Sequence, residues 1–63
     1  MYEVTSTRNG YVLCYVNVRS IADARHMAEC LEKEDPSIKV IIYHVHYVLT
    51  KGSFCKIIRE IER

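Results

Sequence analysis

Two histidines, His44 and His46, are separated by one residue in a segment that alternates like a strand, so they are expected on the same face. Their side chains would lie about 6–7 Å apart along the strand and could share a metal ion. A structural zinc site needs four ligands and a catalytic one usually three, and Glu3 is the only obvious acid expected nearby. The pattern therefore favours polar spacers on a strand, and we predict neither a metal nor another cofactor.

Nucleophilic catalysis requires a cysteine or serine beside a positioned base. The chain has three cysteines and three histidines, but no motif pairs them. Two glycines are too few for a Gly-rich phosphate loop. The closely spaced carboxylates Glu32, Glu34 and Asp35 fall at a solvated helix end. We therefore predict that the protein is not an enzyme.

The cysteines, Cys14, Cys30 and Cys55, are odd in number and widely spaced, which disfavours a disulfide framework. No apolar signal segment follows Met1, because Glu3 and Arg8 interrupt it. These observations predict three reduced thiols that act as small apolar core residues in a cytoplasmic protein.

The formal net charge is +1 with neutral histidines, and acids and bases are interleaved. That balance argues against a protein that binds nucleic acid through phosphate neutralisation. No apolar run reaches the roughly 20 residues needed to span a bilayer. Tyrosines on a sheet could still stack bases, with Arg8, Arg19, Lys39 and Lys51 around them. A nucleic-acid-binding module is therefore kept as the alternative hypothesis.

The first 19 residues predict a β-hairpin, since β-branched and aromatic residues flank Asn9-Gly10, a strong hairpin signal. A two-residue turn would pair Arg8 with Tyr11 and leave neither face cleanly apolar. A three-residue loop with a G1 bulge would pair Thr7 with Tyr11 instead. That register gathers most apolar residues on one face and is therefore preferred. The face comprises Tyr2, Val4, Ser6, Val12, Cys14, Val16 and Val18.

Three further elements follow the hairpin. Ser20 resembles the start of a capping box, and apolar spacing predicts a helix over residues 21–34, which Pro36 terminates. Residues 38–50 predict a long strand whose tyrosine face should be buried, because burying two imidazoles is costlier. After the Lys51-Gly52 break, Ser53 and the spacing of apolar residues predict a second helix over residues 53–62.

The order ββαβα predicts one α+β domain over residues 1–63. Its three-stranded sheet should have the order 2-1-3, a split β-α-β arrangement, with two helices on one face. The other face would be open and rich in apolar residues. The residues expected there are Tyr11, Leu13, Tyr15, Val40, Ile42, His44, His46 and Val48.

An apolar patch of that size on a small domain usually contacts another molecule. We therefore predict a protein-interaction module that forms a homodimer or binds and modulates a larger protein. A compact chain without motifs has the general character of small accessory or inhibitor proteins, including virus-encoded ones, although no motif in the chain specifies one. Leu31 and Ile57 are expected in the core beneath the two helices.

Overall fold

A computed structural model describes residues 1–62, which form four strands and one helix. In chain order these are β1 (Tyr2–Arg8), β2 (Tyr11–Val18), α1 (Ile21–Glu34), β3 (Lys39–Thr50) and β4 (Ser53–Ile61). The strands form one sheet in the order β2-β1-β3-β4, and every neighbouring pair is antiparallel. The helix packs on one face of this sheet.

The predicted ββαβα fold is wrong because residues 53–61 form a fourth strand rather than a second helix. Lys51 and Gly52 both have positive φ angles, 51° and 81°, which is the geometry of a type I′ hairpin turn. The turn brings β4 back along β3 in a regular register from Thr50–Ser53 to Ile42–Ile61. Since isoleucine favours strands, hydrogen bonding to β3 overrides the helical spacing that these residues also satisfy.

The first hairpin combines features of both registers considered for it. Asn9 and Gly10 form a two-residue turn with φ angles of 53° and 82°, so the predicted three-residue loop is wrong. A register shift follows, because Thr7 pairs with Val12 while Ser6 pairs with Cys14, which leaves Leu13 as an extra residue. This bulge, rather than a longer loop, aligns Val4 with Val16 and restores the shared apolar face.

The face of β3 that lies beneath the helix is opposite to the one predicted. Val40 and Ile42 are buried in a cluster with Val4, Ala24 and Ala28. Tyr43 and Tyr47, expected in the core, lie on the face away from α1 by the alternation of the strand.

The length of the elements explains this reversal. A helix of 14 residues is about 21 Å long, whereas a strand of 12 residues extends about 40 Å. The helix therefore covers only the first part of β3. His44 is half-buried and His46 is exposed, so the cost of burying two imidazoles does not arise.

The helix begins and ends at the residues that the sequence predicts. Ser20 is the N-cap, and its Oγ accepts a hydrogen bond from the Asp23 backbone N–H at 3.0 Å, as the capping pattern predicts. At the other end Asp35 forms an ion pair with Arg8 at the end of β1. The Asp35 carboxylate also accepts hydrogen bonds from the hydroxyl and the backbone N–H of Ser37. These two bonds are the main reason that the pKa of Asp35 lies below its usual range. This network joins the helix end to the start of β3.

Replacing Ala28 with Leu should destabilise the protein, because Ala28 is fully buried between the helix and the sheet. Overpacking of this kind typically costs about 1–3 kcal/mol. The matched control is Ala22→Leu, which adds the same side chain on an exposed part of the same helix and should change stability by about 0.5 kcal/mol or less. Urea unfolding compares the two variants, and equal effects would contradict the assigned helix face.

Candidate interaction surface

The outer half of the β3–β4 hairpin extends beyond the rest of the sheet. β1 pairs with β3 only through residues 39–44, whereas β4 pairs with residues 42–50. Residues 46–57 therefore form a two-stranded arm. The arm accounts for the elongated shape of the chain, which measures 43 × 25 × 17 Å and has a radius of gyration of 13.0 Å, against about 10.6 Å for a compact domain of this length.

The arm exposes large apolar side chains on both of its faces. Leu49 and Phe54 lie directly opposite each other, and 63% and 74% of their surfaces are exposed. Tyr47 shares their face, which is the one away from α1, while Val48 and Ile57 lie on the other face and are also exposed. An isolated hairpin of two strands is at best marginally stable in water, and the exposed apolar side chains of the arm add little buried area to support it.

An ion pair bridges β1 and β4 on the open face, the face of the sheet away from α1. Lys56 Nζ lies 3.3 Å from Glu3 Oε2. Glu3 is opposite Tyr43 and Lys56 is opposite Tyr47, and these two tyrosines flank Val45 on the same strand face. Val45 is 2% exposed although it faces away from the helix.

The predicted interaction face is not a single surface. Tyr11, Leu13 and Tyr15 are exposed on β2, whereas Val40 and Ile42 belong to the core and are unavailable to a partner. His44, His46 and Val48 lie on the helix side of the sheet by the strand alternation.

Sequence reasoning missed the exposed apolar residues Tyr47, Leu49, Phe54 and Ile58. The signal that could have found them is the two-residue Lys51-Gly52 spacing between two apolar runs, which is the length of a tight hairpin turn. Ile57, expected in the core, is exposed, whereas Leu31 packs against the core cluster.

The two strand histidines form a small aromatic cluster with Tyr2. The ring of His44 lies 5.2 Å from that of Tyr2 and 5.4 Å from that of His46. Loss of solvent around His44, followed by the positive charges of the chain's amino group, His46 and Arg59, lowers its pKa. Within residues 1–62 no group of three or more metal-ligating side chains comes together.

All three cysteines are exposed free thiols, so their predicted place in the core is wrong. The Sγ atom of Cys14 lies 3.1 Å from the Ser6 hydroxyl. The Sγ atom of Cys30 lies 3.7 Å from His26 Nε2, one helical turn away on the exposed side of α1.

No helix in the described part of the chain has the length and apolar character needed to cross a membrane. The chain matches no protein family model, no curated protein and no solved structure.

Acidification should destabilise the protein through His44. Its pKa in the folded state is lowered from the ordinary value of 6.5, so the unfolded chain takes up a proton at that site more readily than the folded one. Stability is therefore lost as the pH falls below about 6.5 and regained as it rises. Thermal unfolding between about pH 7.5 and 5.5 should show this slope in the parent and a smaller one in His44→Gln. Equal slopes in the two proteins would contradict the assignment of this pH dependence to His44.

Proposed function

We propose that this protein is a non-enzymatic interaction module that self-associates or binds a larger protein through the β3–β4 arm. The observation that carries this proposal is a two-stranded arm with exposed apolar side chains on both faces. Soluble domains rarely leave contiguous apolar patches in water unless the patches contact another molecule. Phe54 and Tyr47 supply the aromatic surface that dominates the energetics of protein interfaces.

The charges on the open face support a protein partner over a nucleic acid. By the strand registers, Lys39 and Lys56 share this face with Glu3 and Glu60, so the formal charges cancel. Lys56 is further engaged by Glu3. Binding to phosphates depends on an excess of positive charge, and this surface does not offer one.

Placing charges on the arm should abolish partner binding and leave the fold intact. The double variant Leu49→Lys and Phe54→Glu puts opposite charges on two residues that face each other across the hairpin, so their own pairing is preserved. The control is Ala22→Glu, on the exposed side of α1. Affinity capture from the native host, with quantitative mass spectrometry, should recover the same proteins with the parent and the control and lose them with the double variant.

The salt dependence of capture separates the two hypotheses. Apolar contacts should persist in high salt, whereas binding through phosphates weakens steeply. A folded double variant that retains every captured protein would contradict the proposed surface. Capture that disappears with nuclease treatment and high salt would favour the nucleic-acid alternative.

A further inference from the structure

The outer edge of β4 has backbone groups that point away from β3, the strand with which it pairs in the described residues. The Val45 N–H donates to the Met1 carbonyl at 2.8 Å, so Val45 directs its backbone groups toward β1. Because these directions alternate along a strand, the even-numbered residues of β3 bond to β4. The register then directs the N–H and C=O groups of Phe54, Lys56, Ile58 and Glu60 to the outer edge.

The geometry points to a second copy of this chain as the partner at that edge, joined by antiparallel β4–β4 pairing about a two-fold axis at Ile58. This inference rests on the proposed interaction function and names its partner. The dimer would contain a continuous eight-stranded sheet with both helices on the same face. One self-complementary strand is sufficient for such a closed assembly.

The two edges of the sheet are not equally suited to this pairing. β2 contains the bulge at Leu13, and bulges protect an edge from pairing. β4 pairs with β3 without interruption from residue 53 to residue 61, so its outer edge is regular. The helix lies against β1, β2 and β3, and residues 55–57 at the base of the arm would gain a third strand from the second copy.

The charges on β4 select the register. A two-fold axis perpendicular to the sheet can lie beside any residue of β4. Each residue of one copy then pairs with a residue of the second copy on the same face of the sheet. Axes at Lys56, Arg59 or Glu60 would place a charged residue against its own copy, which is destabilising.

An axis at Ile57 would place Lys56 opposite Ile58 and Glu60 opposite Phe54, so neither charge would have an opposite partner. An axis at Ile58 instead places Lys56, which also pairs with Glu3 of its own chain, opposite the second copy's Glu60, and the symmetry repeats this pair. Arg59 then lies opposite Ile57 in this register. The Ile58 side chains then meet each other between two ion pairs. This register pairs residues 55–61 of the two copies.

The chain exposes more surface than a compact monomer of its mass. The 7.4 kDa chain exposes 4901 Å², whereas a compact monomer of that mass exposes about 4,200 Å². Within the paired segment, Ile57 and Ile58 are 42% and 52% exposed, so pairing would cover apolar surface that is now in water.

Charge reversal tests the register directly. Lys56→Glu and Glu60→Lys each place two like-charged pairs across the proposed interface, so each should raise the dimer dissociation constant by roughly tenfold or more. An equal mixture of the two variants restores both opposite-charge pairs and should form a heterodimer. Within one strand the two positions lie about 13 Å apart, too far to pair, so this rescue reports contact between chains.

Sedimentation equilibrium at micromolar concentrations provides the measurement, and circular dichroism verifies that each variant is folded. Because Lys56→Glu also removes the ion pair with Glu3, Glu60→Lys is the variant with the smaller effect on the monomer. A parent that stays monomeric, or a dimer whose single variants associate as strongly as the parent, would overturn the proposal. A dimer whose mixed variants fail to associate would overturn it as well.

The outcomes for the dimer and for the interaction module are separate. A monomeric parent that loses its captured proteins when Leu49 and Phe54 are replaced would refute the dimer and support binding to a different protein. A dimer with the predicted charge rescue, whose arm variant neither dissociates nor loses a captured protein, would support β4 pairing and refute the arm as the binding surface.

Discussion

The packing of one helix on the inner half of a long strand is the constraint on which the rest of this structure depends. Ala24 and Ala28 are fully buried against the sheet and bring α1 close to Val4 and Ile42. The helix is about half as long as β3. Among residues 1–62, its position therefore leaves the second half of β3 without a covering layer, and β4 is the strand that accompanies it there.

The uncovered hairpin explains the distribution of polar and apolar groups on the surface. Near the core, the Glu3–Lys56 ion pair bridges β1 and β4 on the open face, and Val45 is buried there. Farther out, Leu49 and Phe54 are mostly exposed. A domain of this size gains little stability from its own core.

The charged residues of β4 restrict how it can pair. Charged residues on an edge strand oppose non-specific association. On β4 they also distinguish among registers, because Lys56 and Glu60 have opposite signs and lie on the same face. Charged residues that oppose non-specific association can therefore also permit one specific two-fold contact. This is the physical basis for inferring self-association at this edge.

Local chemistry determined the elements whose signals lie close together in sequence. The Ser20 cap and Pro36 bound the helix at Ile21–Glu34, Asn9-Gly10 specifies a tight turn, and the alternation after Ile38 specifies a long strand. Tertiary structure decided the features that depend on a neighbour. Residues 53–61 satisfy helical spacing, yet they form a strand because β3 offers hydrogen bonds along its edge. The buried face of β3 was decided by the length of the helix, since the two imidazoles lie near or beyond its reach and are not buried. The arm surface follows from the fourth strand and from the short reach of the helix. The sequence instead predicted a second helix over residues 53–62 and a buried tyrosine face on β3, so Val40 and Ile42 were expected on the open sheet face and Leu49 and Phe54 were overlooked as exposed residues.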